Sequence, residues 1–226
     1  MAKTLSELRT LVLEPVDMQE EDFVSDAEVN RYINQGIKQA EAEIHSIYQD
    51  YFLDWTTVDL VSGTSEYDLP SDIYATKVRK LLWDSTEKQY EIKRIRDLTD
   101  ILDIENEDSY YSYLIRNNAS SGVKIKFFPT PLVDSTGDIT IYYLRDAAQL
   151  SADSDELDIP EFDKFVVLYA RYECLKKELG NPLLIATKEE LESERQLMLS
   201  TLGNRIADKD NELLIDNSFY FDFGSN

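Results

Sequence analysis

The hydrophobic periodicity of this chain changes twice, and these changes restrict the fold to a class that mixes helices and strands. Up to about residue 50, apolar residues recur at spacings of three and four, which predicts helices. Residues 51–146 contain short runs of aromatic and β-branched residues between turns, which predicts strands. The helical spacing returns over residues 160–208. We therefore expect an α+β fold, with helices from both chain ends packed together and an antiparallel β region inserted between them.

The predicted helices have recognisable ends. Residues 4–14 predict a short helix that stops near Pro15. Ser25 and Glu28 have the spacing of a capping box, which opens a helix of about twenty-five residues. Pro160 stands where the first turn of a helix tolerates proline. A last helix is expected over residues 184–208, with these apolar residues on one face: Leu191, Met198, Leu202 and Ile206.

The middle of the chain predicts a series of short strands. They are expected at residues 51–60, 76–83, 89–95, 109–115, 123–128 and 138–145, with a hairpin joining the second and third. Residues 97–104 predict one or two helical turns. Val123, Ile125 and Phe127 alternate with Lys124 and Lys126, which is typical of a sheet with one solvated face.

No repeat, low-complexity segment or linker divides the chain. We predict a single domain over residues 1–208, helical at 1–50 and 160–208 and β-rich at 51–146, followed by an extended C-terminal arm at 209–226. Four aromatic residues of this arm are the predicted docking residues: Phe219, Tyr220, Phe221 and Phe223. A terminal segment usually frays unless something holds it, so we expect the arm to order when it docks in an assembly.

The formal net charge of −22 opposes attraction to nucleic acid or to anionic lipid. Acidic residues cluster at 17–28, 97–108 and 153–163, whereas basic residues cluster at 77–96. Blocks of opposite sign can pair between copies of one chain. The candidates for such pairing are Lys77, Arg79, Lys93, Arg94 and Arg96.

A search for catalytic or metal-binding groups finds none that a motif supports. His45 and Cys174 are the only residues of their types, too few for a usual zinc site, and both are expected to be surface or packing residues. The acidic run at 153–158 fails as a calcium loop, because Leu157 and Asp158 occupy its fifth and sixth positions. We expect no catalytic residue, cofactor or metal. A single cysteine predicts a reducing compartment. The sequence shows no signal peptide and no long apolar run, so we expect a soluble protein.

An ordered set of short motifs resembles the tailed-bacteriophage head-to-tail adaptor family, also called connector or head-completion proteins. The resemblance covers most of the chain, from the N-terminal helices to about Asp208. Its motifs are D-A-E-V-N-R-Y-I-N at 26–34, S-G…Y-D-L-P-S-D at 62–72, F-P-T-P at 128–131, I-Y-Y at 141–143, and D-I-P at 158–160 leading into a helix that contains Tyr169 and Ala170.

This resemblance implies a structural virion protein. Copies would form a ring, commonly a dodecamer, that binds the portal protein above and tail or tail-adaptor proteins below. Genome DNA would pass through without specific binding, and no membrane would be involved. The resemblance places the protein at the neck of the virion, after assembly in the host cytoplasm. The residues alone leave two alternatives open: an acidic DNA mimic that inhibits a DNA-binding protein, and a carboxylate-dependent hydrolase.

Overall fold

The computed structural model describes residues 2–16, 24–84, 89–95, 112–118, 122–178 and 181–209. It confirms the α+β class. The chain forms two compact units, Met1–Tyr48 with Gln149–Asn226, and Gln49–Ala148. The single domain expected over residues 1–208 stays a prediction. Among the described residues, every helix is too short or too polar to cross a bilayer.

The described residues of the first unit form four α-helices. They are α1 (Leu5–Leu13), α2 (Asp26–Ile47), α3 (Asp163–Lys176) and α4 (Leu183–Lys209), with short 3₁₀ turns at Glu14–Val16 and Pro160–Phe162. Helix α3 packs against the other three. Its largest fully buried residue is Phe165, and α1 and α2 bury Leu5, Leu8, Ile33, Ile37 and Ile44 around it.

Both N-terminal helices begin with a capping box. In α2 the N–H of Ser25 donates to Glu28 Oε2 at 3.1 Å, as the sequence predicts. Helix α1 has a second box, which the sequence analysis missed: Thr4 N–H donates to Glu7 Oε2 at 2.9 Å, and Glu7 N–H donates back to Thr4 Oγ1 at 3.3 Å. Each box satisfies backbone donors that have no partner within the helix.

The described strands of the second unit form a sandwich of two four-stranded sheets. Its strands are β1 (Leu53–Leu60), β2 (Glu66–Asp68), β3 (Ile73–Asp84), β4 (Gln89–Glu91), β5 (Lys93–Arg94), β6 (Ser112–Asn118), β7 (Gly122–Phe128) and β8 (Ser135–Arg145). One sheet has the order β1-β8-β3-β4 and the other β2-β7-β6-β5. A shared core lies between them, with Leu81, Ile139 and Ile141 from the first sheet and Ile125 and Phe127 from the second.

The expected antiparallel β region needs one correction, because β5 pairs with β6 in parallel, Lys93 opposite Ser112. The strand predicted over residues 89–95 divides at the buried Ile92: β4 joins the first sheet and β5 joins the second. A parallel pair needs a long connection, and residues 96–111 supply its length. The helical turns predicted at 97–104 lie in that connection, outside the described residues.

Candidate interaction surfaces

Arg9 joins three parts of the helical unit. Its Nη2 lies 2.8 Å from Asp153, its Nη1 lies 3.3 Å from Asp26, and its Nε donates to Asn30 Oδ1 at 3.1 Å. The guanidinium therefore ties α1 to α2 and to the segment that follows the sheets. The D-A-E-V-N-R-Y-I-N motif supplies two of these three acceptors.

Asn34, one turn further along α2, continues the same polar stripe. Its side-chain amide donates to the carbonyl of Leu150 at 2.9 Å, and its Oδ1 accepts the N–H of Leu150 at 2.9 Å. Residues 26, 30 and 34 recur every four positions, which places them on one side of the helix. The motif thus acts in this structure as an attachment for the returning chain.

The acidic run at 153–158 is held by contacts within the chain. The carboxylate of Asp155 accepts from Ser151 N–H at 2.7 Å and Ala152 N–H at 2.8 Å, and these hydrogen bonds hold its pKa below the ordinary value. Asp155 also accepts the N–H of Leu5 through its backbone carbonyl at 2.9 Å. Among the described residues, no cluster of three or more His, Cys, Asp or Glu side chains could hold a metal ion.

Glu28 links the capping box to α3. Lys177 Nζ lies 3.0 Å from both of its carboxylate oxygens. The hydrogen bond from Lys177 and then the one from Ser25 N–H lower the pKa of Glu28. The box therefore also anchors the end of α3 to the beginning of α2.

His45 and Cys174 are both buried. Cys174 is the packing residue that the sequence predicts, and burial raises the pKa of its thiol to about 11. A thiol with that pKa is almost wholly protonated at neutral pH, so it is a poor nucleophile.

Two loops at one end of the sandwich are fastened to each other. Ser62 N–H donates to Asp134 Oδ1 at 2.7 Å, Ser62 Oγ–H donates to the Leu132 carbonyl at 2.8 Å, and Gly63 N–H donates to the Pro131 carbonyl at 2.8 Å. Gly63 has a φ of 78°, a conformation that glycine adopts without steric cost. The S-G and F-P-T-P motifs therefore bind each other.

Tyr67, from the same S-G…Y-D motif, braces this pair of loops. Its hydroxyl accepts Val61 N–H at 2.9 Å and donates to the Thr64 carbonyl at 2.9 Å. The braced loops expose an apolar tip, with Leu132 85% and Val133 70% accessible. We call the side chains of Val61, Leu132 and Val133 the loop tip; sequence reasoning did not identify it.

A second exposed apolar surface lies on β1. Leu53 is 43% and Trp55 is 64% accessible. The register places Leu53 opposite Leu144 and Trp55 opposite Tyr142, and directly opposed side chains share one face of a sheet. This face looks away from the sandwich core. The sequence does not reveal this surface, because β1 carries apolar residues on both faces.

The predicted pairing residues fall into three groups. Arg79 Nη2 pairs with Asp50 at 2.9 Å within the same unit, and Lys77 Nζ lies over the ring of Tyr74 at 5.5 Å. Lys93 and Arg94 lie exposed on β5 and form no ion pair with a described residue. Arg96 lies outside the described residues. So do Phe219, Tyr220, Phe221 and Phe223 of the predicted arm.

The comparison with known proteins agrees with the motifs. None of the curated proteins matches this chain. The family model described as SU10 adaptor protein matches residues 3–213, which span both compact units. That family consists of phage structural adaptors and is not a known enzyme family. The chain therefore belongs to the SU10 adaptor protein family of bacteriophage structural proteins.

Proposed function

We propose that this protein is a ring-forming head-to-tail adaptor of the virion. Copies assemble beneath the portal, extend the channel for genome DNA and present a lower surface to tail or tail-adaptor proteins. The observation that carries the proposal is the family match over residues 3–213. By its resemblance to head-to-tail adaptors the ring is a dodecamer at the virion neck, assembled in the host cytoplasm.

The internal contacts of the motifs support a structural role. Asp26, Asn30 and Asn34 hold neighbouring segments, and Ser62 and Gly63 hold the loop that contains Pro131. A ring component must present the same surfaces in every copy, so side chains that fix loops in position suit it. No catalytic residue, cofactor or metal is part of the proposal.

Contacts between copies are proposed for two sets of residues. Lys93 and Arg94 lie exposed on β5 and are the members of the basic cluster best placed to meet an acidic surface of a neighbour. Arg79 already has Asp50 as a partner, so any role of Arg79 between copies would be shared with that carboxylate. The second set is the C-terminal arm with Phe219, Tyr220, Phe221 and Phe223.

The test is reconstitution with the portal protein. Native mass spectrometry and negative-stain imaging should show a closed ring of this chain bound to one face of the portal ring. A chain that stays monomeric with portal present, over the concentration range in which the two proteins are mixed, would contradict the proposal.

A further inference from the structure

Strand β1 lies at the edge of its sheet in the described part of the chain. It stands at the end of the order β1-β8-β3-β4, and β8 is its only partner among the described strands. Trp55 N–H donates to the carboxylate of Asp54 at 2.8 Å, a contact of a strand edge, because within a ladder this donor would meet a carbonyl. An exposed edge of eight residues is long enough to accept another strand.

The exposed face beside this edge carries several apolar side chains, with Lys80 of β3 opposite Tyr142 of β8. Leu53 and Trp55 project from β1, and Tyr142 and Leu82 continue the face across β8 and β3. An open groove of about 450 Å³ runs beside them, lined by Asp50, Leu53, Arg79, Lys80, Leu82 and Tyr142. Exposed apolar residues that adjoin one another mark an interaction surface, whereas scattered ones do not.

The groove also contains a positively charged side chain, that of Lys80. Asp50 neutralises Arg79 at 2.9 Å. Lys80 is 48% exposed, and its nearest carboxylate, Glu91, is 3.8 Å away, so Lys80 is only weakly paired. An acidic extended segment with apolar side chains on alternate positions would therefore match both the edge and the groove.

The end of this chain has that composition. Residues 210–226 contain four acidic residues and no Lys or Arg, and Phe219, Phe221 and Phe223 occupy alternate positions. In an added strand these three rings would project to one side, as Leu53 and Trp55 do on β1. The described part of helix α4 ends at Lys209, and seventeen residues follow it, enough to pair along the eight residues of β1.

We infer that the outer edge and exposed face of β1 bind residues 210–226 of a neighbouring copy of this chain. The inference rests on the proposed ring. A cyclic ring needs two different surfaces of one chain to meet between copies, and the arm and the β1 edge are two such surfaces. Main-chain hydrogen bonds would add the strand, and the Phe rings would cover Trp55 and Leu53.

Photo-cross-linking of the full chain tests the inference. The probe is p-benzoylphenylalanine in place of Trp55, in assemblies formed from equal amounts of ordinary and heavy-isotope copies. The expected product joins position 55 to residues 210–226 of the other isotopic form. The same probe in place of Leu132, at the loop tip, is the matched control and should not label the arm.

Two sets of variants show how strongly the cross-linking yield depends on the arm and on β1. Replacing Phe219, Phe221 and Phe223 together by Ser should lower the yield of the Trp55-site product by about tenfold, the change expected when a few buried contacts are lost. In chains that carry a probe at Phe221, Trp55→Lys should lower the yield by a similar factor, and Leu132→Lys should not. Both Lys variants should keep the melting temperature of the native chain, because both side chains are mostly exposed.

The outcomes separate this inference from the proposed function. The inference is overturned if position 55 is joined only to its own copy. It is also overturned if position 55 is joined to any other segment, or if no product forms. If rings form on the portal and the probe at Phe221 labels the portal, the adaptor function stands and the binding of the arm to β1 is refuted.

Discussion

Gly36 of α2 and Val166 of α3 lie so close that a Cβ on Gly36 would be 3.2 Å from the Val166 carbonyl oxygen. The same Cβ would lie 3.3 Å from Cβ and Cδ1 of Tyr169. A backbone oxygen inside a helix cannot easily move aside. Gly36 is therefore the residue that lets the two helices approach this closely.

Gly36→Ala should destabilise the protein. Alanine raises helix propensity by about 1 kcal/mol, whereas overpacking costs about 1–3 kcal/mol, so we expect a net loss of about 0–2 kcal/mol. Gly203 in α4 is the matched control, because a Cβ there meets nothing within 4 Å. Gly203→Ala should raise the free energy of unfolding by about 0.5–1 kcal/mol. Urea unfolding measures both, and equal effects at the two sites would contradict the packing argument.

Asn34→Asp tests the attachment of the returning chain to α2. The carboxylate can accept the N–H of Leu150 but cannot donate to its carbonyl, and the two oxygens would repel each other. We expect a loss of about 1–3 kcal/mol in the free energy of unfolding. Asn117→Asp, at an exposed position of β6, is the control and should change it by less than about 0.5 kcal/mol. A similar loss in both variants would show that added charge is the cause.

Much of the local structure could be predicted from the sequence because local interactions determine it. The capping box at Ser25 and the alternation around Ile125 depend on neighbours a few residues away, and the structure confirms both. The parallel pairing of Lys93 with Ser112 was not foreseen, because the sequence predicts one antiparallel strand over residues 89–95 and does not show that its two halves join different sheets.

The candidate surfaces were harder to predict than the fold. Arg9 contacts Asp153, which is 144 positions away, so nothing local marks the pair. Trp55 was missed because only the register with Tyr142 decides which face of β1 is exposed. The arm stays a prediction from the alternating aromatics at residues 219–223, whereas its proposed binding site required the sheet order.

Ala75→Gly should stabilise the protein. Ala75 has a φ of 46° and Thr76 a φ of 58°, a left-handed conformation that costs an L-residue about 1–2 kcal/mol. Glycine adopts it freely but loses more entropy on folding, so we expect a net gain of about 0.5–1 kcal/mol in the free energy of unfolding. Ala186→Gly, in the exposed part of α4, should instead lose about 1 kcal/mol. Chemical unfolding measures both changes in the free energy of unfolding, which should have opposite signs. A loss in both variants would show that the backbone at Ala75 is not strained.

Tyr143 should make the protein sensitive to alkaline pH. Burial, and then the nearby charge of Asp72, raise the pKa of its phenol to about 12, whereas an unfolded tyrosine ionises near 10. The unfolded chain therefore loses this proton first, and the free energy of unfolding should fall as the pH rises from about 10 to about 12. Tyr143→Phe should make this fall shallower than Tyr142→Phe, whose ring lies on the exposed face. Equal alkaline slopes in the two variants would exclude Tyr143 as the cause.

Exposed charges on β5 should make assembly depend on salt. Lys93 and Arg94 are solvent-exposed, so their attraction to acidic groups of a neighbour would be screened as the Debye length falls from about 10 Å at 0.1 M to about 3 Å at 1 M salt. Single exposed pairs contribute about 0–1 kcal/mol, so ring stability should decline gradually. Reversing both charges to Glu should weaken the ring at low salt and remove most of its salt dependence.

The control is Lys124→Glu on β7, because Lys124 already pairs with Asp68 at 2.8 Å in its own subunit. Native mass spectrometry over a salt series measures the ring fraction. A native ring whose fraction stays constant from low to high salt would rule out this pairing, as would equal effects of the β5 and β7 reversals.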